Sequence, residues 1–200
     1  MLLLFHREIC LSLYIVRIKE EYLKLSEKYG AHPVKAVNQL LFTSFSLPDI
    51  FTLKKWTVIW STYALYDPSY ANQESFGFFV DFGNGWNTLL PSILCLLIMT
   101  FQPSSSSSSF FSILTARHVG IIGMLKYYQE FYGTVMYVVS YLFNKRYQGR
   151  STLECCLVVG ISNSLWFFFP AFGMMISYQM IVQNNFDMFT NVSASSMSKN

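Results

Sequence analysis

The sequence VGIIGMLKYYQEFYGTVMYVVSYLF, residues 119–143, has the largely apolar composition of a membrane-spanning helix. It is long enough for one bilayer crossing, because about 20 apolar residues at about 1.5 Å rise each span the hydrocarbon core. Yet it carries Lys126, Gln129 and Glu130 near its middle. A charge at the bilayer centre costs about 2.5–3.5 kcal/mol even on the permissive insertion scale. The sequence therefore predicts a helix whose polar residues face other helices or a wet cavity.

Helical periodicity sorts this stretch into two stripes. Steps of three and four residues align a polar set, namely Tyr127, Glu130, Thr134, Tyr137 and Tyr141. A more apolar set follows a second line, namely Tyr128, Phe131, Val135, Val138 and Leu142. Two interpretations of the charges stay open. Lys126 and Glu130 are either a functional site or an ion pair, one turn apart, in which each neutralises the other.

The composition excludes several classes of protein. The chain of 200 residues is 52% hydrophobic and only 12% charged, whereas about 25% of residues in an ordinary soluble domain are charged. A net charge of +3, spread along the sequence, provides no basic patch for a nucleic-acid partner. The four cysteines lack metal-ligand spacing, so neither a metal site nor a cofactor is predicted.

Two more segments repeat the pattern of a single polar face on an apolar helix. Residues 76–101 are expected to form one span with the face Asp81, Asn84, Thr88, Pro91 and Cys95. Residues 155–181 are expected to form the last span with the face Asn163, Trp166, Pro170, Gly173 and Ser177. Such faces either line a shared pocket or form small-residue packing seams. The predicted fold class is an all-α, polytopic transmembrane helix bundle of about four helices.

The remaining segments set the predicted organisation. Residues 1–52 are expected to be an atypical or truncated N-terminal region, partly amphipathic, in which a charged helix stops near Gly30 and Pro33. A transmembrane domain follows over residues 53–182, and residues 183–200 form a polar tail. The Trp and Tyr residues of the run 60–70 suit the membrane–water interface. The basic loop 144–154 is predicted to be cytoplasmic.

Three motifs together resemble the EXPERA-domain family, and within it the delta-8 to delta-7 sterol isomerases of the emopamil-binding branch. They are the run Trp60, Tyr63, Asp67 and Tyr70, then YGTVMY at 132–137, then NSLWFFFP at 163–170. The likeness covers about residues 53–181. It implies a multi-pass protein of the endoplasmic reticulum membrane that binds a sterol or cationic amphiphile among membrane lipids, and it allows a homodimer.

The resemblance also implies roles for individual residues. Asp81 stands where the isomerases have a catalytic glutamate, and Glu130 stands where they have a glutamine, so these two are the catalytic candidates. The remaining positions are expected to contact the ligand or to hold the motifs. The substrate-binding candidates are Tyr63, Tyr70, Asn84, Thr134, Asn163 and Trp166, and the motif or structural positions are Trp60, Asp67, Gly133 and Pro170.

Isomerisation of a sterol ring double bond needs a proton donor at one carbon and a base at a neighbouring one. Carboxylates and aromatic faces stabilise the carbocation between the two steps, and an apolar cavity keeps water away from it. The His-x-x-x-Glu pair that the isomerases carry upstream is missing from residues 1–59, and Thr134 replaces an aspartate. The sequence thus leads to a sterol isomerase, with a non-catalytic EXPERA protein that binds sterols or cationic amphiphiles, or an inactive relative, as the alternatives.

Overall fold

The structure, a computed structural model, describes residues 10–44, 46–50, 52–74, 76–100 and 115–186. Most of these residues are helical, the rest form turns and short connections, and no strand occurs among them. The order is α1 (Ile15–Tyr29), α2 (Val34–Leu41), α3 (Leu47–Ile50), α4 (Leu53–Tyr63), α5 (Ser69–Asn72), α6 (Phe76–Asn87), α7 (Leu89–Thr100), α8 (Ala116–Phe143), α9 (Thr152–Cys155), a π-helical turn (Cys156–Gly160) and α10 (Ile161–Gln183). The all-α class is thereby confirmed. The predicted tail lies outside the described residues from residue 187 onward.

The charged N-terminal helix ends where its sequence predicts. Helix α1 stops at Tyr29, Gly30 follows, and α2 begins directly after Pro33. Proline disfavours a helical residue before it and begins helices well, because its missing N–H is an orphan donor in the first turn anyway. The hydroxyl of Ser61 on α4 donates to the Ile18 carbonyl at 3.1 Å, which joins α1 to α4.

The expectation of one span over residues 76–101 is wrong for its described part. Helix α6 ends at Asn87, Thr88 forms a turn, and α7 begins at Leu89. Pro91 explains the break, because its ring clashes with the carbonyl of residue 87 and it has no N–H for the helix ladder. Neither half is long enough alone to cross a bilayer as a helix.

The C-terminal helix is the longest apolar element. From Thr152 to Gln183 it runs through α9, the π-helical turn and α10, and it contains one charged residue, Glu154, near its start. Within the part of the chain that the structure describes, this is the one helix long and apolar enough to cross a membrane by length and composition. Exposed apolar side chains recur along it every three or four residues: Leu157, Ile161, Leu165, Phe168, Phe172, Met175, Tyr178 and Val182.

Helix α8 turns its polar stripe inward, as its periodicity predicts. Glu130, Thr134, Tyr137 and Tyr141 are buried, whereas Tyr128 is 57% exposed and Leu142 is 56% exposed. A soluble amphipathic helix has the opposite arrangement, with its apolar stripe in the core. The burial pattern therefore suits an apolar medium around the helix.

The described residues form two compact units. The first draws on Met1–Leu89 and Tyr132–Phe167, and the second on Leu90–Phe131 and Phe168–Asn200. The core of the first contains Trp60, Tyr66, Tyr70 and Tyr137. The interpretation of the run 60–70 as an interfacial belt is therefore wrong for its largest members, because Trp60 is 1% exposed and Tyr70 is 2% exposed. Large aromatic rings contribute more to the free energy of unfolding when they are buried in a packed core than when they lie at a surface.

Close packing in the second unit comes from small residues. A Cβ added at Gly123 would crowd the Ser177 side chain, and one at Gly173 would crowd the ring of Tyr127. The side chains of Ile98, Val119 and Met180 pack together nearby in the same unit. In this unit the polar faces of α8 and α10 thus form the packing seam that was one of the two alternatives.

In the first unit, Gly77 on α6 gives a direct test of close packing. A Cβ at this position would overlap the ring of Tyr137, and the Tyr70 hydroxyl would lie 3.2 Å from it. We expect Gly77→Ala to lower the free energy of unfolding by about 1–3 kcal/mol, because an overpacked core must shift.

Gly83 on the same helix is the matched control. A Cβ there would meet only Asn87 Nδ2, at 3.8 Å. Gly83→Ala should raise stability by about 0.5–1 kcal/mol, because alanine loses less backbone entropy than glycine in a helix. Thermal unfolding of both variants in the same detergent measures the two effects, and a Gly77→Ala variant as stable as Gly83→Ala would contradict this packing.

Candidate functional site

An aromatic group at the end of α4 and on α5 builds the frame of the candidate site. Trp60 stacks on Tyr70 with ring centroids 5.1 Å apart and planes 23° apart. Tyr63 meets Tyr70 edge to face at 5.2 Å. The turn that contains Asp67 and Pro68 brings α5 back against α4, so that residues seven to ten positions apart can stack. We call Trp60, Tyr63, Asp67, Tyr70, Asp81, Tyr137 and Asn163 the polar-aromatic cluster.

Asp67 is the most deeply buried charge of the cluster, with 0% of its surface exposed. Its Oδ2 accepts hydrogen bonds from Arg146 Nη1 at 3.0 Å and from the Tyr137 hydroxyl at 3.1 Å. Its Oδ1 accepts from the backbone N–H of Ser69 at 3.2 Å and from the Ser69 hydroxyl. A buried carboxylate is tolerated when a cation and several donors surround it. These contacts give Asp67 a structural part in the cluster.

Asp81 on α6 has different surroundings. It is half-buried, and the Tyr70 hydroxyl donates to its Oδ2 at 2.8 Å. Exposed rings flank it in sequence: Phe79, two residues before it, is 62% exposed, and Phe82, the next residue, is 38% exposed. Asp81 therefore places a carboxylate beside both the buried aromatic frame and an exposed apolar surface.

Asn163 joins the C-terminal helix to the frame. Its Nδ2 donates to the Tyr63 hydroxyl at 3.2 Å and to the Val159 carbonyl at 2.7 Å. Val159 belongs to the π-helical turn, where the normal helix ladder shifts by one residue. The Tyr63 and Tyr137 hydroxyls lie 2.7 Å apart, so residues from three distant motifs meet here.

Four other predicted positions lie on α6, α8 and α10. Pro170 has no N–H to offer the Trp166 carbonyl four residues earlier in the same helix, and Thr134 Oγ1 donates to that carbonyl at 3.3 Å. Gly133 meets Val80, whose Cγ1 would lie 2.5 Å from an added Cβ, so α6 approaches α8 closely at this point. Asn84 is buried on α6, one turn beyond Asp81. Gly133, Thr134 and Asn84 belong to the same unit as the polar-aromatic cluster.

Glu130, the second catalytic candidate, lies in the second unit, whereas Asp81 lies in the first. Lys126 Nζ is 2.9 Å from Glu130 Oε1, and both side chains are more than nine-tenths buried. The same ammonium lies 4.1 Å from the centroid of the Tyr127 ring. Of the two interpretations of these charges, the neutralising ion pair is therefore present in the structure.

Sequence reasoning missed two members of the network. Tyr137 belonged to the polar stripe of α8 but to no set of predicted site residues. Arg146 was assigned to a cytoplasmic basic loop, yet it binds Asp67, and Arg150 donates to the carbonyls of Gly30 and Leu65, both at 2.9 Å.

No group of three or more His, Cys, Asp or Glu side chains that could hold a metal ion occurs among the residues that the structure describes. Comparisons of the chain with protein-family models, with curated proteins and with solved structures found no match.

Proposed function

We propose that this chain is an integral membrane protein that binds a sterol or a cationic amphiphile at Asp81, as a member of the EXPERA-domain family. The observation that carries the proposal is the position of the Asp81 carboxylate. It accepts a hydrogen bond from Tyr70 in a buried aromatic frame and lies on a helix that also exposes Phe79 and Phe82. An ammonium or hydroxyl head group would contact the carboxylate, while an apolar body would lie along the rings.

Exposed apolar surface supports the membrane part of the proposal. One helix, Thr152–Gln183, meets the length and hydropathy of a span, and its outward stripe is apolar along most of its length. Helix α8 adds exposed Ile121, Leu125, Val139 and Leu142. Exposed apolar side chains recurring along most of a helix are uncommon on soluble monomers. A multi-pass arrangement in the endoplasmic reticulum membrane is proposed on the resemblance alone.

Binding accounts for the carboxylates better than turnover does. Isomerisation requires a group that delivers a proton and a group that removes one. Asp67 is held by Arg146 and three further hydrogen bonds, and Glu130 is paired with Lys126. We place the ligand on Asp81 because its carboxylate lies on the helix that exposes Phe79 and Phe82.

Sterol isomerisation is the second candidate, and the hydrogen bond from Tyr70 to Asp81 favours it. This pair could hold a proton at the carboxyl group and return it through the phenol. The test is expression in cells that lack sterol isomerase, supply of a delta-8 sterol, and mass spectrometry for the delta-7 product. Product that disappears in Asp81→Asn would establish turnover, whereas its absence with the protein confirmed in the membrane would leave binding as the function.

The binding proposal predicts a large effect of Asp81→Asn. In membranes that retain the protein after carbonate extraction, affinity for a labelled tertiary-amine amphiphile should fall about 10- to 100-fold, because a hydrogen bond to a charged group contributes about 1.5–3 kcal/mol. Equilibrium binding to the extracted membranes measures it. Glu20→Gln, which removes an exposed carboxylate of α1, is the matched control and should retain the wild-type affinity. Unchanged affinity in a folded Asp81→Asn protein would contradict the proposed site.

A further inference from the structure

The hydrogen bonds of the polar-aromatic cluster run in a single direction. Asp67 is paired with Arg146 and, as a carboxylate, can only accept hydrogen bonds. The single hydroxyl proton of Tyr137 goes to Asp67 Oδ2 at 3.1 Å. In the 2.7 Å contact between the two tyrosines, Tyr137 must therefore accept and Tyr63 must donate.

The same reasoning extends to the next residue. Tyr63 has given its only proton to Tyr137, so its oxygen accepts from Asn163 Nδ2 at 3.2 Å. The order is thus Asn163 to Tyr63 to Tyr137 to Asp67, and Arg146 donates to the far end. Tyr70 likewise directs its hydroxyl proton to Asp81. Both tyrosines of the candidate site therefore offer oxygen lone pairs, not protons, to a ligand.

We propose that Arg146 is a positioning residue that, through Asp67, fixes this direction and so makes the candidate site selective for head groups that donate hydrogen bonds. The inference rests on the proposed function, which it deepens by naming the ligand class. Ammonium and hydroxyl groups can donate to Asp81, Tyr63 and Tyr70. A ketone, which only accepts, forms no hydrogen bond with the lone pairs of these acceptors.

Arg150 provides the matched control for the loop. Both arginines tie residues 144–150 to the rest of the first unit, but Arg150 donates to the backbone carbonyls of Gly30 and Leu65, and Arg146 donates to Asp67. If the two arginines only held the loop in place, Arg146→Gln and Arg150→Gln would have the same effects on the Tyr63 resonance and on ligand preference. A positioning role predicts that only Arg146→Gln changes the cluster.

The first measurement needs no ligand. The full chain is labelled with 3-fluorotyrosine in detergent, and the ¹⁹F resonance of Tyr63 is assigned from its loss in Tyr63→Phe. We expect this resonance to shift in Arg146→Gln, to return to its wild-type position in Arg146→Lys, which restores a cation, and to stay in place in Arg150→Gln. An unshifted Tyr63 resonance in folded Arg146→Gln would overturn the inference.

The second measurement compares two amphiphiles that share one hydrocarbon body and carry a tertiary amine or a ketone. The wild type and Arg150→Gln should prefer the amine, and Arg146→Gln should lose about fivefold of that preference, the equivalent of about one hydrogen bond. Equal binding of the two ligands by the wild type would overturn the ligand class. Failure of both to bind the wild type would contradict the proposed function, while the Tyr63 resonance would still decide the direction of the hydrogen bonds.

Discussion

Replacing Lys126 with leucine is expected to lower the free energy of unfolding by about 3–5 kcal/mol, because it leaves the Glu130 carboxylate buried without its cation. The pair is tight, with Nζ 2.9 Å from Oε1, and only 5% and 8% of the two side chains are exposed. Chemical unfolding in detergent micelles measures the change. The same loss should follow Glu130→Leu, which leaves the ammonium over the Tyr127 ring without its carboxylate.

The double replacement tests whether the pair is structural. Lys126→Met combined with Glu130→Leu removes both charges, and buried pairs replaced in this way often gain about 1–4 kcal/mol over the wild type or change little. The exposed pair Lys24–Glu21 on α1 is the control, since its side chains are 69% and 33% exposed. Its removal should cost less than about 1 kcal/mol. A double variant as unstable as either single variant would contradict the ion pair.

Truncation of Trp60 should have an effect of similar size. The side chain is 1% exposed, stacks on Tyr70 and meets Tyr63 edge to face with centroids 6.1 Å apart. Trp60→Ala leaves a large cavity under the candidate site, and such substitutions cost about 3–5 kcal/mol. Thermal unfolding in the presence and absence of the amine amphiphile measures stability and ligand binding in the same sample.

Trp86 is the comparison for Trp60. It lies on α6 with 46% of its surface exposed, and its Nε1 donates to Ser12 Oγ at 3.2 Å. Trp86→Ala removes one partly exposed hydrogen bond and should therefore cost about 0.5–1.5 kcal/mol. If the two variants lost equal stability, the aromatic frame around Trp60 would not be the core of the first unit.

The residues on which the family resemblance rests come together in space. Tyr63, Tyr137 and Asn163 belong to three separate motifs. The Tyr63 hydroxyl nevertheless lies within hydrogen-bond distance of both the Tyr137 hydroxyl and Asn163 Nδ2. The N-terminal helices pack on the same unit, with Ile18 of α1 in its core. Membership of the EXPERA-domain family stays a proposal, and the binding and conversion assays test what it implies.

Periodicity alone predicted the local structure well. The spacing of Glu130, Thr134 and Tyr137 was enough to expect one buried face on α8, because a helix repeats every 3.6 residues wherever it is placed. Gly30 and Pro33 likewise marked the end of α1 and the start of α2, since both act on the backbone near them. Pro91 was expected to lie on the polar face of one helix. In the structure, the helix breaks three residues before it, between α6 and α7.

The helical class, the inward polar stripe of α8 and the apolar character of the last helix were thus predictable from local spacing, because these properties depend on neighbours within one or two turns. The burial of Trp60 and Tyr70, and the contact of Arg146 with Asp67 across 79 positions of the chain, are apparent only in the folded structure. Such contacts depend on how helices pack, and local spacing carries no information about which helix lies opposite. The direction of the hydrogen bonds through Tyr137 and Tyr63 follows from that packing.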